Sequence, residues 1–281
     1  MTSRTLFVWF QHLLPQHALS RLVLRATRIR AVWFKNALIR GFLKLYTIDM
    51  SDALQPDPLA YGSFNEFFTR ALKPGARPIA PGAGDIACPV DGAISEAGRI
   101  EGDRLLQAKG RDYTLTELLA SRAWASHFDG GSFATIYLAP FNYHRVHMPL
   151  RAQLRETVYV PGSLFSVNAV TAAQVPRLFA RNERVLTWFD TSYGEVALVL
   201  VGALNVGSMA TVWAGDITPA ARRVVTALPP QQVSLDKGEE LGRFNMGSTV
   251  ILLFQRDRAR WHADIRAGAS VRLGQSLGSL Q

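Results

Sequence analysis

Short apolar runs, rich in β-branched and aromatic residues, recur through the second half of the chain. They occupy residues 133–139 (FATIYLA), 154–160 (LRETVYV), 184–190 (RVLTWFD), 195–203 (EVALVLVGA), 208–214 (SMATVWA) and 249–255 (TVILLFQ), and Gly, Pro or Asn punctuates most of the gaps. This pattern predicts strands and a core that is mostly β. Helix signals are fewer. Ser63-Phe64-Asn65-Glu66 and Thr114-Leu115-Thr116-Glu117 have capping-box spacing and open the runs FNEFFTRAL and LTELLASRAWAS. Gly238-Glu239-Glu240-Leu241-Gly242 and Gly274-Gln275-Ser276-Leu277-Gly278 resemble each other, each a glycine turn into a short hydrophobic strand, as in barrel-sandwich folds.

The first fifty residues follow another pattern. Large apolar side chains (Leu6, Phe7, Val8, Trp9, Phe10, Leu13, Leu14, then Leu22, Ile29, Trp33, Phe34, Leu38, Ile39, Phe42) alternate with bases. At helical spacing Arg21, Arg25, Arg28 and Lys35 fall on one side, with Leu22, Ile29 and Trp33 about a quarter turn away. Charges or Pro15 interrupt every run that could span a bilayer. No cleavable leader pattern precedes the arginines, so the segment is read as part of the mature protein. The expected fold class is α+β: N-terminal membrane-associating helices over residues 1–50, then a mainly β catalytic domain over 51–281 with barrel-sandwich character.

Charge sharpens that division. The net charge of the 281 residues is +9, and residues 1–50 supply +7 of it through eight bases against Asp49. Bases beside Trp, Phe and Leu suit the headgroup region of an anionic membrane. A helical hairpin packed on its own catalytic domain is the plainer alternative. Nucleic acid is the weakest, because phosphate-binding faces seldom need exposed Trp and Phe. Cys88 stands alone and excludes a disulfide framework or a multi-cysteine metal site.

Candidate chemistry gathers at three places. Asn245-Met246-Gly247-Ser248-Thr249 sets a serine after a glycine and before a strong strand, a position suited to a nucleophile. His144 and His147 lie in the Pro-bounded segment 141–149, and Asp91 in the turn Pro89-Val90-Asp91-Gly92, so a Ser/His/Asp set is possible chemistry. The HxxH spacing could also serve a metal, but no carboxylate lies within that stretch and no metal is expected.

Taken together, Phe64-Asn65-Glu66-Phe67-Phe68 with Arg70, Leu72-Lys73-Pro74, Pro89-Val90-Asp91-Gly92, Tyr143-His144-Arg145-Val146-His147-Met148-Pro149, Leu164-Phe165-Ser166-Val167-Asn168, Phe179-Ala180-Arg181-Asn182-Glu183-Arg184 and Met246-Gly247-Ser248-Thr249 resemble the phosphatidylserine decarboxylases, in order from about residue 60 to 255. Two positions depart from that family's habit: Met246, where Leu is commoner, and Asn142, where an acidic residue is common.

The resemblance implies that the chain cuts itself between Gly247 and Ser248 into a large chain 1–247 and a small chain 248–281, Ser248 becoming a covalent pyruvoyl group. It implies that His147, oriented by Asp91, is the base of cleavage and that His144 protonates the carbanion left by CO₂. Its implied partners are phosphatidylserine, an anionic membrane surface at the cytoplasmic face and the cleaved small chain, with no nucleic acid; a homodimer is left open. Two other readings remain at this stage: a membrane-tethered barrel-sandwich carrier without catalysis, and a zinc peptidase using His144 and His147.

Overall fold

The computed structural model describes residues 10–12, 14–108, 110–204, 208–217, 224–226, 233–246 and 248–281, with the backbone alone at 224–226 and 248. Leu6, Phe7, Val8, Trp9, Leu13 and Gly247, all part of the expectations above, lie outside the described residues.

A large antiparallel sheet organises the molecule. Its strands Ala152–Val160, Arg184–Thr191, Gly194–Val201, Ser248–Phe254, Ser132–Leu138 and Gly92–Arg99 lie side by side in that order, with shorter strands at both edges. Side chains along Ser248–Phe254 alternate: Ile251 and Leu253 enter one core, Val250, Leu252 and Phe254 the other. Gly194–Val201 divides in the same way. Both faces are thus covered, which is why these strands read as continuous apolar runs rather than as half-polar alternation. Each fully buried Leu or Phe here contributes roughly 1.5–3 kcal/mol relative to exposure.

Short helices, among them Leu115–Leu119 and Arg122–Ser126, cover one face. The expected single helix over this run is broken because Ala120 takes a left-handed φ of 50° and the Ser121 hydroxyl caps a second helix at Trp124. Thr114 and Glu117 form a complete capping box, whereas Ser63 caps Glu66 while the Glu66 carboxylate accepts from Gly62 instead. Small sheets cover the other face. The expected strand over 208–214 is only Met209–Thr211, since the chain reverses at 212–214 to pair with Gly215–Ile217.

The two glycine motifs occupy equivalent places. Gly238 and Gly274 turn with φ of +85° and +83°, and a Cβ on either would strike Ile79. Each turn feeds a short strand, Glu240–Phe244 or Ser276–Leu280, whose Leu241 or Leu277 is fully buried in the same core.

Over residues 14–46 the chain forms the helices α1 (Gln16–Thr27) and α2 (Val32–Leu45), rather than one continuous stripe. The break moves Lys35 off the basic face. It is buried and donates to Leu59 O at 2.8 Å and Asn36 Oδ1 at 2.9 Å. The inner side of α2 packs Ile39 and Phe42 against Phe64, Phe67 and Phe68 of α3 (Phe64–Phe68). Its outer side leaves Trp33 at 76% and Leu45 at 77% exposure, on the same helix as the exposed bases Arg40 and Lys44, and Arg21 and Arg25 of α1 are exposed as well. Among the described residues no helix is long and apolar enough to cross a membrane.

Candidate active site

Position 248 opens its strand at the rim of the large sheet, in register with Leu138. On the other side Thr249 pairs with Val201, so the next residue outward, Gly202, stands beside position 248. Gly202 N–H in turn donates to Glu183 O at 2.9 Å. The segment leading into position 248 is clamped. Asn65 Nδ2 donates to Asn245 O at 3.0 Å, Asn245 N–H donates to Ser208 O at 3.0 Å, and Asn245 Nδ2 reaches Ser208 Oγ and Asp216 Oδ1. The Phe64-Asn65 motif therefore holds the segment before position 248 from 180 residues away. The Ser248 side chain lies outside the described atoms.

A cavity of about 300 Å³ opens at the same rim. Leu138 and Pro140 line it beside Met246, Ala203, Phe42 of α2 and Phe68 of α3. Its wall is mainly apolar, as small-molecule sites generally are.

Strand register separates the two histidines. Arg145–His147 pairs with Glu240–Phe244 so that Phe244 N–H donates to His144 O, while His147 lies opposite Glu240. His144 is thus at the end leading to position 248, and His147 is three residues, roughly 10 Å, further back along the strand.

The His144 ring is fully buried and stacks on Phe68 at 4.1 Å between centroids. Its Nε2 lies 3.4 Å from Pro140 O, two residues beyond the partner of position 248, and its Nδ1 has no partner. Burial, and then the nearby Arg70 guanidinium, push its pKa down to about 3, so it is a neutral imidazole with an available lone pair.

His147 is held differently. Gly238 O can only accept, so Nδ1–H donates to it at 2.8 Å, and Nε2 accepts from the Tyr143 hydroxyl at 3.0 Å. Burial also lowers its pKa. Asp91 is taken up by Arg77, whose Nε and Nη2 reach both carboxylate oxygens at 2.7–3.2 Å, and by Leu273 N–H at 2.9 Å. The hydrogen bonds to Asp91 and Asp52 raise the Arg77 pKa further. The expected contact in which Asp91 orients His147 is therefore not formed. Gly238 O occupies that place, and a forked guanidinium outcompetes a neutral imidazole for the carboxylate.

Asn142 Oδ1 accepts from Ala139 N–H at 2.8 Å. That bond needs one oxygen, which an acidic residue would supply equally. Cys88 is buried, and its thiol is pushed up to about 12, so it is no nucleophile. Among the described residues no three His, Cys, Asp or Glu side chains gather as a metal ligand set.

Two charged residues of the sequence motifs had no role assigned from the sequence. Arg70 is buried with Nε unpartnered, and its pKa is lowered by burial. Glu183 is 1% exposed, accepts from the Tyr159 hydroxyl at 3.1 Å, and is raised to about 7 by burial. Nothing in the sequence signals the Glu183 position, because it depends on which strand lies beside which.

A family model described as phosphatidylserine decarboxylase matches residues 64–279, and one described as PSD matches residues 6–47. The chain is 52% identical to the phosphatidylserine decarboxylase proenzyme of Methylococcus capsulatus over 277 residues, covering 98% of this chain and 96% of that one. It is 54% identical to the proenzyme of the same description from Pseudomonas putida over 282 residues, covering 99% and 98%. With the Azotobacter vinelandii proenzyme the identity is 52% over 280 residues, covering 97% of each.

Proposed function

The chain belongs to the phosphatidylserine decarboxylase family, and on that premise we propose that its reaction, the decarboxylation of phosphatidylserine to phosphatidylethanolamine, is carried by a pyruvoyl group made from its own Ser248. The observation that carries this reading is the place of position 248: a clamped strand entry at the rim of the sheet, against an apolar cavity, with His144 at the end of its strand that leads toward it.

Maturation is intramolecular. The Ser248 hydroxyl oxygen adds to the Gly247 carbonyl carbon, the peptide C–N bond gives way to an ester, and the hydroxyl proton ends on the released nitrogen. Loss of the Cα proton of residue 248 then expels the Gly247 carboxylate, and hydrolysis of the unsaturated residue frees ammonia and leaves a ketone. Such a reaction draws much of its acceleration from orientation. The clamps on Asn245 supply orientation.

We assign Asp91 and His147 to the same task as positioning residues. His147 pins the Gly238 turn that leads into Glu240–Phe244, and Asp91 joins Arg77 to the backbone at Leu273. His144 is assigned to turnover, holding and delivering the proton at position 248.

The surroundings of position 248 suit a small ketone. His144 Nδ1 and Glu183 Oε1 are buried polar atoms without a hydrogen-bond partner among the described residues. A pyruvoyl group at position 248 would supply a ketone for the headgroup amine and an acceptor for the electron pair released with CO₂. His144 then delivers to the substrate carbon a proton that its neutral imidazole first takes up from solvent, and Phe68, Leu138 and Met246 wall the site.

We further propose that α1 and α2 seat the protein on an anionic membrane surface. Their exposed Leu22, Trp33 and Leu45 beside exposed bases support that reading, and α2 connects it to the site because Phe42 and Tyr46 wall the cavity. The experiment that tests the function is CO₂ release from phosphatidylserine vesicles: the wild-type chain releases it and Ser248→Ala does not. Equal release by both would remove the reading.

A further inference from the structure

Four positions stand in one row across the rim of the large sheet: Glu183, Gly202, position 248 and Leu138. Adjacent strands are about 4.8 Å apart, so Glu183 and position 248 begin roughly 10 Å apart with Gly202 between them. Gly202 has no side chain, and the Glu183 carboxyl fills the space above it. A Cβ on Gly202 would lie 3.0 Å from Glu183 Cγ and 3.3 Å from Oε1. The carboxyl thus leans across the intervening strand toward position 248.

Its bonding is incomplete. Oε2 accepts from the Tyr159 hydroxyl, and Oε1 has no hydrogen-bond partner although it is buried. Among the described residues no lysine or arginine pairs with it. Tyr159, on the adjacent strand, is the ionisable side chain that faces it; Arg184, its neighbour in sequence, turns to the opposite face and donates to the carbonyls of Leu118 and Glu117. An unpaired buried carboxyl costs free energy, and a purely structural partner for Tyr159 could as well be an uncharged amide.

Resting on the function proposed above, we propose that Glu183 is the proton acceptor for the amine of the substrate headgroup at position 248. A phospholipid amine reaches the site as an ammonium ion, and only the free amine can bond to a carbonyl carbon. One N–H proton passes to Glu183 Oε1; the nitrogen recovers its lone pair, and the carboxylate becomes a carboxylic acid. The product amine takes this proton back on leaving, so the amine steps need no further base, while the proton that replaces CO₂ reaches the substrate carbon separately through His144. A carboxyl raised to about 7 suits both directions near neutral pH.

The test uses the matured full-length protein and two amines, each trapped with cyanoborohydride and read as a mass increment on the fragment that begins at residue 248. Glycerophosphoethanolamine arrives protonated, whereas methoxyamine is already unprotonated at neutral pH. In the wild type, trapping of the first should fall as pH drops through about 7, with no such fall for the second. In Glu183→Gln, trapping of glycerophosphoethanolamine at pH 7 should drop roughly 10²- to 10⁴-fold, with methoxyamine unchanged. If Glu183→Gln traps both at wild-type rates, or if the two wild-type profiles coincide, the proposal is overturned. Should Glu183→Gln fail to mature, Glu183→Asp, which keeps the carboxyl but draws it back from position 248, should trap glycerophosphoethanolamine more slowly and methoxyamine at the wild-type rate, and wild-type rates for both amines would overturn the proposal. A wild-type chain that is never cut would instead overturn the function on which the proposal rests.

Discussion

Replacing His147 by Asn, Gln and Ala in turn distinguishes a positioning role from a catalytic base. Asn can present its amide N–H near the place of Nδ1–H and keep the bond to Gly238 O, while removing the Nε2 lone pair. Gln extends toward Tyr143 and loses the Gly238 bond, and Ala loses both. The Gly238 bond is a neutral N–H···O=C contact of 2.8 Å. Its loss should cost about 1 kcal/mol net, rising to roughly 3 kcal/mol if the carbonyl stays buried and unpaired. If that cost falls on alignment of the segment 238–248, cleavage in Ala and Gln slows roughly 5- to 150-fold, and Asn cuts within a fewfold of wild type. A base would behave otherwise, because Asn, Gln and Ala would all lose roughly 10²- to 10⁴-fold. Cell-free synthesis with timed quenching and intact-mass analysis gives the cut fraction directly. An Asn variant as slow as the Ala variant would refute the positioning role and restore the base role that the family resemblance implied.

Other consequences are open to measurement. His144→Ala should still cut but release CO₂ from phosphatidylserine roughly 10²- to 10⁴-fold more slowly, in the same mass and CO₂ assays; full activity would remove His144 from the mechanism. The lowered pKa of His144 also links stability to pH: the unfolded chain binds this proton below about 6.5 and the folded chain only near 3, so stability is lost as pH falls between them, by up to about 1.4 kcal/mol per unit from this group. Denaturant midpoints measured from pH 7 to 4 should show a shallower fall in His144→Phe than in wild type; identical slopes would contradict the burial. For the membrane surface, glutamate at Leu22, Trp33 and Leu45 together should abolish flotation with anionic vesicles while leaving self-cleavage intact, and unchanged flotation would refute it. Substitution is preferable to deleting residues 1–50, because Ile39 and Phe42 are part of the packing on α3.

Much of the fold was legible because the central strands are buried on both faces, which gave 133–139, 195–203 and 249–255 their largely apolar character, while β-branched and aromatic residues marked 154–160 and 184–190. The break between α1 and α2 was not, since neither Pro15 nor a glycine marks residues 28–31, and the burial of Lys35 followed from that break. The HxxH segment advertised chemistry but could not divide it. Which histidine reaches the scissile end is decided by the register of Arg145–His147 on Glu240–Phe244, a pairing across almost a hundred residues. Likewise Asp91 looked free to orient an imidazole until Arg77, from a segment without periodic pattern, claimed both of its oxygens. Glu183 was visible only as one residue of a motif; its relation to position 248 passes through the bare backbone of Gly202.

The most direct measurement is the intact mass of the purified wild-type protein beside Ser248→Ala. The wild type should give two chains divided between Gly247 and Ser248, the smaller carrying a keto group and no free amine at its first residue, while Ser248→Ala stays whole. A single uncut wild-type chain that releases CO₂ from phosphatidylserine, or a small chain that begins with an unmodified serine, would contradict self-generation of the reactive group.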